Sequence, residues 1–160
     1  MRLEEIALDA LWSQGVRGLI IDLDNTLLPY SADEVSPERC RWMTEAKRRG
    51  FALVILSNNF PPRVARIAAQ LGIVGISSAL KPLPFAFLRA LAALGTPPRA
   101  TRVIGDQVLT DILGGRLVGV AGILTDPLEP RDFLLTRVMR WVEEHLLLRR
   151  PLQAPPTRMR

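Results

Sequence analysis

The sequence has a single cysteine, a single histidine, only two lysines, and no long apolar run. With Cys40 alone, an internal disulfide and a cysteine-built metal site are both excluded, and a reducing, cytoplasmic setting is the expectation. The one histidine, His145, stands apart from every motif and reads as a packed or solvent-facing side chain rather than a ligand. No apolar stretch approaches the roughly 20 residues needed to cross a bilayer. Met1 to Asp9 carries Glu4, Glu5 and Asp9 without an apolar h-region, so it does not read as a signal peptide. Aromatics are few, and Trp12, Trp42 and Trp141 are expected in the core rather than as binding platforms. Cys40 is expected to be a small buried hydrophobe.

Hydrophobic residues make up 48% of the 160, enough for one packed domain and too many for disorder. That domain is expected over residues 1–150, with an amphipathic helix at about 130–148 and a disordered tail over 151–160. The formal charge of +5 has its visible excess beyond Pro130, where seven arginines face Asp132, Glu143 and Glu144. The rest is nearly neutral in sum. Nucleic acid is therefore not an expected partner of the body, whereas an anionic partner for the tail is compatible with the pattern.

Short apolar runs recur along the chain, and each ends in a polar residue. Gly18–Ile21 ends at Asp22, Phe51–Leu56 at Ser57, Thr101–Ile104 at Gly105-Asp106, and Val120–Leu124 at Thr125. A weaker run, Ile73–Ile76, precedes Ser77. Runs this short and apolar on both faces suit parallel strands covered by helices on each side. Between them lie helical segments. Ser36-Pro37 opens one that Gly50 stops, Pro61-Pro62 opens one closed by Gly72, and Pro84 opens one closed by Gly95. A shorter one begins at Thr110-Asp111 and meets Gly114-Gly115. Strand and helix in alternation predict an α/β fold, a Rossmann-like three-layer sandwich with a mostly parallel sheet and helices on both faces.

In such a sheet, ligands bind beyond the carboxyl ends of the strands. The polar strand ends therefore converge on one rim, where several carboxylates repel one another unless a cation or proton lies between them. Oxygen donors of this kind, beside a phosphate, suit Mg²⁺. The order is also informative: Asp22-Leu23-Asp24-Asn25-Thr26, then Ser57, then Lys81, then Gly105-Asp106 through Asp111. Lys81 stands out in a chain whose 21 basic residues are otherwise nearly all arginine, as expected where a compact ammonium is wanted.

These four motifs, in this order, resemble the haloacid dehalogenase superfamily. Together with Leu56-Ser57-Asn58-Asn59, Ala79-Leu80-Lys81-Pro82 and Asp126-Pro127, they are most similar to its capless subclass IIIA, the YqeG-like and phosphatidylglycerophosphate phosphatases. The resemblance spans roughly residues 11–148. It implies a Mg²⁺-dependent phosphomonoesterase in which Asp22 is the nucleophile and Asp24 the acid and base. Ser57, Asn58 and Lys81 would hold the phosphoryl oxygens. Asp22, Asp24 (through its carbonyl) and Asp106 would ligate the metal, with Asp111 positioning it. Thr26 would brace the turn. The intervals from Asp24 to Ser57 and from Ser57 to Lys81 are too short for a cap domain, and an open site favours a bulky or membrane-held phosphate, including a phospholipid.

Three other readings stand beside this one. Each Asp alone could cap a helix or a turn. A phospho-receiver domain also pairs acids with a Lys, but its acids lie on separate strands and in another order. A non-catalytic binding or regulatory protein could keep the fold without turnover. Substrate alternatives are a nucleotide, a sugar phosphate or a phosphoprotein. For the terminal helix, docking on the sheet competes with peripheral contact at the inner face of a membrane, with Arg137, Arg140, Arg149 and Arg150 near anionic headgroups. Arg116 is placed either on the surface or within reach of a substrate phosphate.

Overall fold

A computed structural model describes residues 1–129. The terminal helix, the tail, Trp141 and His145 of the sequence reading lie outside the described residues.

Five strands form one sheet: β1 (Gly18–Ile21), β2 (Ala52–Leu56), β3 (Val74–Ile76), β4 (Thr101–Gly105) and β5 (Ala121–Leu124). All adjacent pairs are parallel and the order is β3-β2-β1-β4-β5. The chain runs outward from β1 to β3 on one side, then crosses back to place β4 and β5 on the other. The switch point therefore lies between β1 and β4, where a doubly wound sheet opens a crevice. Gly18–Ile21 pairs in register with Ala52–Ile55 on one side and Thr101–Ile104 on the other.

Alternating side chains of the strands feed two separate cores. Leu19, Ile21, Leu53 and Ile55 pack with α1 (Leu8–Ser13), α2 (Pro37–Arg48) and α3 (Pro61–Leu71), through Leu11, Met43, Ala46, Val64 and Ile67. Ile20, Val54, Leu56 and Val103 pack on the opposite face with α4 (Pro84–Leu94), through Ala86, Phe87, Ala90 and Leu91. This is the three-layer arrangement that continuous apolar strands require, because each face must be covered. The stretches between the first three motifs contain α2 and β2, then α3 and β3, and no cap domain.

Local chemistry sets the helix ends. Ser36 accepts from the Arg39 amide at the start of α2, and Gly72 and Gly95 close α3 and α4 in the left-handed conformation. The short helix after β4 departs from expectation. It begins with a π-helical turn, Val108–Ile112, and continues as α5 (Leu113–Leu117) straight through Gly114-Gly115. These glycines are contact points rather than a stop. A Cβ on Gly114 would lie 2.3 Å from the Phe87 ring and one on Gly115 2.7 Å from Val103 Cγ1, so α5 packs close because both lack a side chain.

The first 17 residues also contribute to the core. Leu3, Ile6 and Leu8 are buried, Trp42 Nε1 donates to the Ile6 carbonyl at 2.9 Å, and Arg39 pairs with Glu4 at 3.0 Å. Trp42 is thus core, as expected. Trp12 is not: it is 37% exposed, with the Arg17 guanidinium 3.6 Å from its ring centre and Phe51 edge-on. Cys40 is only partly buried and its thiol faces the Val35 carbonyl.

Candidate active site

Asp22 follows β1, Ser57 follows β2 and Asp106 follows β4, so chain direction alone brings all three to the carboxyl rim of the sheet. The Asp22 amide still donates to Ile104, continuing the β1–β4 ladder, and the Ser57 amide donates to Ile76. Beyond Asp22 the chain turns sharply. Asn25 takes the left-handed conformation (φ 64°) that Asn tolerates, and its amide donates to Leu28. Leu23, Leu27 and Leu28 sink into the core and pin this turn, which holds Asp24 against the β2 end.

Lys81 arrives from the loop after β3. Asn58 fixes that loop at both polar atoms of the Lys81 backbone: its Oδ1 accepts from the Lys81 amide at 2.7 Å and its Nδ2 donates to the Lys81 carbonyl at 3.2 Å. The Lys81 ammonium then donates to Asp22 Oδ1 at 2.5 Å and to Asp111 Oδ1 at 2.6 Å. Asp111 is wholly buried, and its second oxygen accepts from the Gln107 amide at 3.2 Å. The π-helical turn aims it there, and Gly105 makes the space: a Cβ on Gly105 would lie 2.4 Å from the Asp111 carboxyl carbon.

Asp24 occupies a second polar nest. Ser57 Oγ donates to it at 3.2 Å while accepting from the Asn59 amide, Asn59 Nδ2 donates at 3.2 Å, and Arg63 Nε donates at 3.2 Å. Arg63 also donates to the Pro29 carbonyl, tying the nest to the loop after the first motif. Asn59, Arg63 and Gln107 were not among the expected site residues. The signal for Arg63 was its position in the first turn of the helix after Ser57, where side chains point back at the strand ends. Thr26 is buried in this turn, and its hydroxyl has no hydrogen-bond partner among the described residues. Arg116 is exposed on α5.

The electrostatics are unbalanced. Burial pushes the Asp22 carboxyl well above the ordinary 3.8, with Lys81 opposing and the nearby Asp111 and Asp106 charges adding to the rise. Burial, then the Asp111 charge, pushes Asp106 up to about 6. Burial works against the Lys81 ammonium, but the carboxylates of Asp111 and Asp22 outweigh it and hold its pKa above the ordinary lysine value. One ammonium thus faces three acids.

Two carboxylate oxygens, Asp22 Oδ2 and Asp106 Oδ1, are buried without a hydrogen-bond partner among the described residues. Asp22, Asp106 and Asp111 each offer an oxygen within 4.8 Å of the others. Orphaned, hard, anionic donors at this spacing fit a divalent cation, since each would otherwise bear an uncompensated desolvation penalty. Two surface hollows among the described residues lie elsewhere. One of about 420 Å³ lies between Glu4, Leu8 and α2, and one of about 330 Å³ lies beside Asp33, Arg63 and Arg66 at the edge of the Asp24 nest.

Comparison with known proteins agrees with this geometry. Residues 30–119 match the haloacid dehalogenase-like hydrolases, a segment that begins just after Asp22 and Asp24. The chain is 39% identical to the "Probable phosphatase YqeG" of Bacillus subtilis over 139 residues, covering 87% of this chain and 81% of the relative. It is 36% identical to a phosphoserine phosphatase of Thermus thermophilus over 106 residues, covering 60% of this chain and 43% of that one. Among solved structures, NagD from Escherichia coli K-12 superposes with a TM-score of 0.60 at 14% identity, over 73% of this chain and 90% of its own, a likeness of fold. The chain belongs to the haloacid dehalogenase-like hydrolases. Within them it is a phosphatase, a phosphomonoester hydrolase of the capless YqeG-like kind. Among the described residues no helix is long and apolar enough to cross a membrane.

Proposed function

We propose that this phosphatase works through an aspartyl-phosphate on Asp22, with Asp24 as acid and base, in the presence of Mg²⁺. The supporting observation is the buried Lys81 bridge, which holds Asp22 by one oxygen while its other oxygen is left without a protein partner.

An oxygen of Asp22 attacks phosphorus. The bond to the leaving oxygen breaks, and Asp24 supplies the proton that this oxygen takes up. Water then attacks the aspartyl-phosphate, Asp24 takes its proton, and the phosphorus–Asp22 bond breaks to release inorganic phosphate. Ser57, the Asn58 amide and the Lys81 ammonium hold the equatorial oxygens, where charge gathers in the transition state. Lys81 has three donors and uses two on Asp22 and Asp111, so one remains for phosphate. Asp22, Asp106 and the Asp24 carbonyl would hold Mg²⁺, with Asp111 orienting from behind. When bound, the ion neutralises the rim and the phosphoryl charge. Asn58 contributes a second service, since its side chain fixes the Lys81 loop.

The substrate reading is a phosphomonoester on a bulky or membrane-held group, phosphatidylglycerophosphate among them, because neither stretch between the first three motifs contains a cap domain. An acid quench during turnover of p-nitrophenyl phosphate with Mg²⁺ should leave a phosphorylated peptide containing Asp22. Its absence during active turnover would overturn the covalent route. A panel that sets phosphatidylglycerophosphate in mixed micelles against nucleotide, sugar-phosphate and phosphoprotein substrates decides the leaving group.

A further inference from the structure

We propose that the α4–α5 face of the protein is a docking surface for anionic lipid. The starting point is charge segregation that the near-zero sum conceals. Residues 1–45 contain nine acidic and four basic residues, whereas residues 46–125 contain ten basic and two acidic ones. Those two acids are Asp106 and Asp111, both buried in the site. The surface built by residues 46–125 therefore carries arginine and lysine and not one carboxylate.

The same stretch holds most of the exposed large apolar side chains. Leu83, Phe85 and Leu88 line the first turns of α4, and Leu109, Leu113 and Leu117 follow at four-residue spacing along the π-helical turn and α5. Leu88 is 55% and Leu109 71% exposed. The two stripes belong to neighbouring helices, because Gly114 brings α5 onto Phe87 and Pro82. Leu80 and Val108, also exposed, carry the patch to the residues flanking Lys81 and Asp106. Arg89 on α4 and Arg116 on α5 are exposed and make no salt bridge among the described residues.

An apolar patch bordered by unpaired arginines and free of carboxylates matches an interface that is apolar within and anionic at its rim. Anionic lipid has both properties. A second copy of this face is apolar but lacks the anionic rim, since pairing it with itself would set cation against cation with no carboxylate between. Docking this way places the sheet rim at the headgroups, so the inference extends the proposed function to substrates that stay in the membrane. The surface itself does not depend on that reading.

The test is sedimentation of the full chain with vesicles of phosphatidylcholine, alone or mixed with phosphatidylglycerol. Binding is expected to the mixed vesicles only, and weaker at high salt. The F85S/L88S variant should bind about tenfold more weakly or worse, and R89E should also lose affinity. Both should turn over soluble p-nitrophenyl phosphate as the parent does. R89E alone decides if circular dichroism shows the double variant unfolded. The proposal is overturned if the parent ignores the mixed vesicles, or if the variants bind them equally well. It is also overturned if the parent is a dimer that these changes dissolve without any vesicle binding. Failure of the parent to hydrolyse soluble substrate would instead strike the proposed function and leave a positive vesicle result standing.

Discussion

Two regions of this molecule are equally hidden from water and are held together in opposite ways. Between the sheet and α4, Ile20, Val54, Val103 and Phe87 exclude water and gain by it. A few ångströms along the same strands, the carboxyl rim buries Asp22, Asp106, Asp111 and Lys81, where burial is a penalty that charge pairing offsets only in part. The first region is stable as built. The second is arranged for a charge that the protein alone does not supply, which is what a site that binds a cation beside a phosphate requires.

That contrast is open to direct attack, and the largest effect should fall on turnover. Asp22→Asn keeps the shape of the rim but removes the nucleophile. Phosphate release from p-nitrophenyl phosphate should fall by about a thousandfold or more, with the thermal transition at least as high as the parent's. Residual turnover within tenfold of the parent would remove Asp22 from the nucleophile's role.

The next pair sets the regions against each other. Phe87→Ala opens a cavity in the α4 core and should cost about 3–5 kcal/mol in urea unfolding, much the same at pH 5 and pH 8. Lys81→Met leaves the acids without their cation and should cost about 3–5 kcal/mol near neutral pH. Its loss should shrink as pH falls and the carboxylates take up protons. A pH-independent loss from Lys81→Met would mean that packing, not charge, dominates at the rim.

The smaller effect has the opposite sign. Asp106 has a folded pKa of about 6 against the ordinary 3.8, so its contribution to stability is present below the ordinary value and is lost as pH rises through the folded one. In metal-free protein, Asp106→Asn should therefore be stabilising by about 1–2 kcal/mol above pH 7, solvent screening having reduced the full effect, and close to neutral below pH 4. Added Mg²⁺ should raise the parent's thermal transition more at pH 8 than at pH 5, and should raise that of the variant less. A destabilised Asp106→Asn in chelator would contradict the strained rim.

Much of this was legible in the residues themselves. The strands at Gly18, Ala52 and Thr101 and the helices opened by Pro37, Pro61 and Pro84 follow from apolar run length, proline starts and glycine stops, which are local rules. The candidate rim was legible because a parallel sheet delivers every strand end to one side. What escaped were relations that local rules do not carry. Gly114-Gly115 resembled a stop, yet they are the contact that lets α5 settle on Phe87 and Val103. Arg63 and Asn59 carried no motif, and reach Asp24 only because α3 starts where β2 ends. The nearly neutral body concealed an acidic first third and a basic remainder, since a sum over the chain discards position.

The sequence by itself determined the alternation of strand and helix, the identity of the acids and the lysine, and the intervals too short for a cap. Apolar period, turn residues and chain order express those directly. Only the tertiary structure decided that Lys81 would stand between Asp22 and Asp111, that two carboxylate oxygens would be left without partners, and that the exposed leucines of α4 and α5 would share one carboxylate-free face. Those are distances between residues 30 to 59 positions apart or between neighbouring helices, and they exist only once packing has fixed which surfaces meet.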